Sequence, residues 1–163
     1  MLVGRVFIID GLHEFKYREW HFEQATPERL LQLEDQIRDK DKEEAMALTG
    51  YKTFHECMLA LINTSDTVPI YLLKRGKDVM GIGGVCGKGV VWLVLTKQEK
   101  YHTLGFLQFS KRFLPKLIEA YGHVTNIVWT KNTKHVKYLD WLGAEWEDIS
   151  PGFSIFYIRR KEK

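Results

Sequence analysis

The chain has 163 residues, of which 45% are hydrophobic, 13% aromatic and 28% charged, a composition that supports one domain with a buried core and excludes a disordered or fibrous chain. Its formal net charge of +3 hides a division, with 13 acidic and 8 basic side chains in residues 1–66 (net −5) and 8 acidic and 16 basic in residues 67–163 (net +8). No run approaches the roughly eighteen consecutive apolar residues of a membrane-spanning helix, and residues 1–5 lack the basic start and apolar run of a secretory leader.

Two cysteines, Cys57 and Cys86, are too few for a disulfide framework or a four-ligand zinc site, so two reduced thiols in a cytoplasmic protein and no metal are expected. The basic second half suits an anionic ligand, whether a nucleotide cofactor or nucleic acid, and equally a solvated surface.

In chain order, residues 2–9 read as a strand that stops at Asp10-Gly11. Residues 13–24 mix aromatic and charged side chains without a clean period. Thr26 and Pro27 open a helix that carries Leu30, Leu33 and Ile37 at helical spacing. Residues 39–44 are a charge run, read as a solvated helix start, and 44–48 as a short helix broken at Gly50. Thr53, with Glu56 three residues on, has the form of a capping box for a third helix. Residues 68–73, 79–85 and 90–95 then read as three strands joined by Gly-bearing turns, a meander. The period of 3.6 over Phe106, Phe109, Phe113, Leu117 and Tyr121 predicts a helix over 105–121, with a kink near Lys111 from Pro115. Residues 124–129 read as a strand, 132–142 as a helix stopped by Gly143, and 154–158 as a last strand. The fold class expected is α/β (α+β): a mostly antiparallel central sheet of about six strands flanked by helices, in a single domain over 1–163.

That order resembles the GNAT superfamily of N-acetyltransferases. The local likeness is the stretch from Asn132 through Leu142, Gly143 and Ala144, similar to the family's late helix, which opens on an Asn and ends in a Leu-Gly pair. Together with Val91–Thr96 and the strand ending in Val128-Trp129, it is similar to the acetyltransferase-like proteins of short-tailed phages, the internal virion protein A family. The resemblance implies acetyl-CoA or CoA as cofactor, no metal, transfer to an amine, a host or virion protein as partner, and a place in the host cytoplasm or the virion.

Such chemistry needs backbone donors for a pyrophosphate, an N–H to polarise the thioester carbonyl, a base and an acid. The cofactor-binding residues the resemblance implies are Val94, Leu95 and Thr96 at the strand end, Lys97, Gln98, Lys100, Thr103 and Gly105 in the following loop, and Asn132. The loop has Gln98 but one glycine instead of the family's two, so the phosphate cradle is eroded; a helix start and two lysines can still attract phosphate, and a solvated loop is equally sensible. Residues 90–95 hold no titratable side chain to serve as the family's strand base. The family's acid is a Tyr seven residues after the helix-opening Asn. Here that position is Leu139, and Tyr138 precedes it, rotated by about 100° on a helix. Tyr138 is therefore either a displaced acid or a packing residue, and His102 is the spare base. Asn132 either contacts a pantetheine arm or caps its helix; His135, one turn into that helix, reads as a surface residue before a catalytic one. Gly81, Gly83 and Gly84 lie inside the meander, where they mark a bulge or a close backbone approach and not a dinucleotide loop.

Three functions follow as expectations: a CoA-dependent N-acyltransferase, a catalytically inactive virion or host-interaction protein on the same fold, and a nucleic-acid binder, which no recognition motif supports. The first two turn on whether residues 90–95 and 124–129 lie side by side and splay, and on what fills the gap.

Overall fold

A computed structural model describes residues 14–65 and 67–160. Its strands are β1 (Lys16–Tyr17), β2 (Trp20–Gln24), β3 (Tyr71–Arg75), β4 (Asp78–Cys86), β5 (Val90–Leu95), β6 (His123–Trp129), β7 (Glu145–Ser150) and β8 (Phe153–Arg159). They form one sheet in the order β1-β2-β3-β4-β5-β6-β8-β7. The helices are α1 (Pro27–Leu33), α2 (Asp39–Thr49), α3 (Phe54–Thr64), α4 (Thr103–Tyr121) and α5 (Thr133–Trp141). Among the described residues the sheet thus has eight strands instead of six. The strand expected over residues 2–9 lies outside the described residues, while β1, β2 and β7 come from stretches with too little periodicity to read. β7 is an almost wholly exposed edge that pairs only with β8, so burial leaves no alternation in its sequence.

Local chemistry explains the helix ends. The Thr26 hydroxyl accepts the Arg29 N–H at 3.3 Å, with Pro27 in the first turn of α1. Thr53 and Glu56 make the expected cap of α3, the Glu56 N–H donating to Thr53 Oγ1 at 3.1 Å. α4 runs on through Pro115 and ends at Gly122, whose φ of 84° is left-handed. The stretch read as a charge run and a short helix is instead one helix, α2, and its Asp41 and Glu44 are buried.

The helices cover both faces of the sheet. Leu30 and Leu33 of α1, Ile37, and Met58 of α3 pack on Ile70, Leu72 and Ile82. Phe106 and Phe109 of α4 pack on Trp20, Leu73, Met80 and Leu95, and Leu117 and Leu139 on Val124, Val128, Phe156 and Ile158. Each large apolar side chain removed from water in this way contributes about 1.5–3 kcal/mol. Alternation divides β5 between the layers: Trp92 and Val94 join the first cluster, Leu93 and Leu95 the second. The meander glycines mark a close approach, since an added Cβ at Gly83 would lie 2.7 Å from the Trp92 carbonyl oxygen.

Among the described strands β5 and β6 are the one parallel pair, joined in register only at Val90 and Thr125. Beside this vertex the Thr125 N–H donates to Gly89 O at 2.9 Å. One step on, the Asn126 side chain bridges the gap: its Nδ2 donates to Val91 O at 2.8 Å, and its Oδ1 accepts the Ile127 N–H at 2.7 Å. No further ladder pairing joins the two strands, and a wedge-shaped space opens between them.

Candidate functional site

The wide end of the gap is closed by α2. Asp41 and Glu44, three residues apart and so on one helix face, reach into it. Asp41 Oδ2 accepts the Leu95 N–H of β5 at 2.7 Å, and Glu44 Oε2 accepts the Trp129 N–H of β6 at 2.9 Å. Just before α2, the Arg38 N–H donates to Leu95 O at 2.9 Å, and Ile37 makes an isolated antiparallel bridge with Thr96. Both backbone groups of Leu95 are therefore bonded to the segment 38–41.

The carboxylates are held in turn by a buried network. Asn132 Nδ2 donates to Asp41 Oδ1 and Glu44 Oε1, each at 3.0 Å, tying the start of α5 to α2. Arg38 grips Asp41 with Nη2 at 2.9 Å and Nε at 3.2 Å, and its Nη1 lies 3.4 Å from Glu99 Oε2. His135 Nδ1 donates to Glu44 Oε1 at 2.8 Å. Asp41, Glu44, Glu99 and Asn132 are all buried, so each hydrogen bond replaces water that burial removed. The three carboxylates outnumber the one guanidinium, so this end of the gap is formally negative.

The residues singled out in the sequence are dispersed. Val94 lines the gap, but its backbone pairs with Ile82 of β4. Thr96 is fully buried as a structural lock, its hydroxyl donating to Val79 O at 2.7 Å and accepting from Gln98 N at 3.3 Å. Residues 97–101 form a 3-10 turn that leaves Lys97, Gln98 and Lys100 exposed, Lys100 Nζ lying 5.0 Å from the Tyr101 ring centre. Thr103 donates to Glu99 O. Gly105 makes room for Trp20, since an added Cβ would lie 3.2 Å from the indole. Asn132 does not cap its helix: its side chain makes no cap bond and points at the two carboxylates. His102 lines neither of the two cavities beside β5, whereas His135, read as a surface residue, lines both.

Tyr138 lies in the wall between α4 and α5. Its hydroxyl donates to Ser110 Oγ at 2.7 Å, and Ser110 donates to Phe106 O at 2.8 Å. Burial pushes the phenol up to about 12; the Ser110 contact opposes the rise and the Glu99 charge adds to it. A folded value above the ordinary tyrosine value of about 10 means that this stabilisation is whole below that pH and is lost as pH climbs toward the folded value. Unfolding midpoints on either side of pH 10 are therefore expected to fall more in the wild type than in Tyr138→Phe; equal falls would show that the hydroxyl is not shut away from water.

The interior of the gap is a cavity of about 280 Å³ between β5 and β6, walled by Val91, Leu93, Phe106, Phe109, Leu114 and Val124 among others. A second space of about 260 Å³ lies between the start of α4 and α5, bordered by Arg38, Glu99, Thr103, Lys134, Lys137 and Trp141. Among the described residues no cluster of His, Cys, Asp or Glu could hold a metal ion, and no helix is long and apolar enough to cross a membrane. The residues missed from the sequence are Asp41 and Glu44. Their only signal was a pair of carboxylates three apart, behind Arg38, in a helix with few apolar positions.

The chain matches the family model described as the bacteriophage T7 probable scaffold protein Gp13 over residues 69–149. No curated protein matches it. Among solved structures it is similar to an acetyltransferase from Thermus thermophilus, at 16% identity and a TM-score of 0.63 over 86% of this chain and 97% of that one. It is also similar to spermidine N-acetyltransferase from Vibrio cholerae in complex with CoA and spermine, at 14% identity and a TM-score of 0.59 over 88% and 96%. A GNAT-family protein from Chromobacterium violaceum aligns at 12% identity with a TM-score of 0.61 over 88% and 89%. Identities this low speak to the fold alone, and with the splayed parallel pair at the centre of the sheet, that fold is the GNAT fold.

Proposed function

We propose that this chain is a GNAT-fold protein that has given up acyl transfer and serves as a virion or host-interaction component of a short-tailed phage, of the internal virion protein A kind. The observation that carries this is the bond from Leu95 N–H to Asp41. In the acetyltransferase reading, the free backbone edge at the end of β5 must hold the pantetheine arm and polarise the thioester; here Asp41 and Arg38 occupy both of its groups. CoA does not fit this arrangement. The glycine expected to admit a pyrophosphate is instead packed on Trp20.

The proton-transfer groups are no better placed, because the Tyr138 hydroxyl donates its hydrogen bond to Ser110 and His102 lies off the gap. The match to a phage scaffold-protein family supports an assembly role, in the host cytoplasm during assembly and then in the particle. Isothermal titration of the intact chain with CoA and with acetyl-CoA is expected to give no heat at about 1 mM ligand, where a binding free energy of about −4 kcal/mol would register. Saturable heat, or acetyl transfer to an amine that Asn132→Ala abolishes, would restore the enzyme reading.

A further inference from the structure

We infer that the space between β5 and β6 is a binding site for an uncharged apolar ligand, a hydrocarbon group of about ten carbons bearing at most a hydroxyl, by scaling from the roughly 150 Å³ cavity that takes up benzene. The inference deepens the non-catalytic reading and rests on it in one respect: the carboxylates of α2 close the polar end of the gap and leave an apolar chamber behind them.

Four observations meet here. The first is size. A space of about 280 Å³ is nearly twice the size of the cavity that takes up benzene. The second is lining: Val91, Leu93, Phe106, Phe109, Leu114 and Val124 supply a hydrocarbon wall.

The third is that the hydroxyl and amide groups reaching the cavity are bonded within the protein. Tyr138 donates to Ser110, Ser110 to Phe106 O, and the Asn126 amide to Val91 O. Their oxygen lone pairs accept a ligand hydroxyl, and the carboxylates of Asp41 and Glu44 at the edge of the space repel an anion. A cation would lose its hydration in an apolar chamber whose carboxylates are already bonded to Arg38, Asn132, His135 and backbone N–H groups. The fourth is access. Leu48 of α2 and Ile127 of β6 both line the space and are 41% and 42% exposed, so an apolar rim opens it to solvent on the α2 side.

The test is thermal unfolding of the full chain with 1-octanol, naphthalene, octanoate or octylamine. Octanol and naphthalene are expected to raise the Tm saturably, and the two charged chains at equal concentration to leave it unchanged. Ala45→Phe, which fills the space from α2, is expected to abolish the shift. A second readout needs no filled variant: Trp92 lines the cavity while Trp20, Trp129, Trp141 and Trp146 do not, so 8-bromo-octanol is expected to quench indole fluorescence saturably in the wild type and not in Trp92→Phe. No shift with octanol, quenching that survives Trp92→Phe, or octanoate binding as well as octanol would each overturn the site. The two readings fail separately. Heat with CoA while octanol still binds removes only the non-catalytic reading, and silence from both ligands removes only this one.

Discussion

Replacing Asp41 with Ala is expected to lower the unfolding free energy by about 3–5 kcal/mol, the range for deleting one partner of a buried ion pair. The side chain is 3% exposed and serves Arg38, Asn132 and the Leu95 N–H together. Its loss leaves a backbone donor, an amide and part of a guanidinium without a partner, in a place where water enters poorly. Asp41→Asn keeps an oxygen for the Leu95 N–H but gives up the charge, so its cost should fall between those of the wild type and the Ala variant. Urea unfolding followed by tryptophan fluorescence measures both. A loss under about 1 kcal/mol for Asp41→Ala, the scale of ordinary surface substitutions, would mean that the network does not hold the gap closed. The cleft would then be free to open toward a cofactor.

The second large effect is expected at the vertex of the gap. Gly89 has a φ of 84°, and an added Cβ would run into the His123 carbonyl oxygen. Gly89→Ala therefore combines left-handed backbone strain of about 1–2 kcal/mol with overpacking of about 1–3 kcal/mol, at the residue whose carbonyl accepts the Thr125 N–H. Gly87 in the same turn is the control. Its φ is 57°, and nothing lies near an added Cβ, so Gly87→Ala should show the backbone strain alone. Equal midpoint shifts for the two variants would show that β5 and β6 do not meet at this turn.

Much of the fold was legible because its elements obey simple rules. The Thr26-Pro27 and Thr53/Glu56 starts, the apolar stripe of α4 and the Gly-punctuated meander are local signals, and the capping bonds and burial follow them. β2 was hidden because its alternation, with Trp20 buried and the residues after it half-buried or exposed, spans five residues among other aromatics. β7 was hidden because an exposed edge strand leaves no hydrophobic record. The charge run at 39–44 misled because a charged helix is solvated in most proteins. Asp41 and Glu44 are exceptions that can be buried only because Arg38, Asn132, His135 and the ends of two strands are there to receive them.

The candidate site divides in the same way. The single loop glycine and the displaced Tyr138 already spoke against acetyl transfer, since backbone approach to a phosphate and the angle of a side chain on a helix depend on spacing along the chain. The sequence alone therefore determined the order of the main elements, the capped helix starts and the Gly-bearing turns of the meander, all of which are written in neighbouring residues. That Leu95 and Trp129 are capped by carboxylates, that Asn132 holds those carboxylates instead of its own helix, and that an apolar chamber remains behind them was decided by tertiary structure. The partners stand as far as 91 residues apart in the chain, and no local period or motif records which buried donor will find which acceptor.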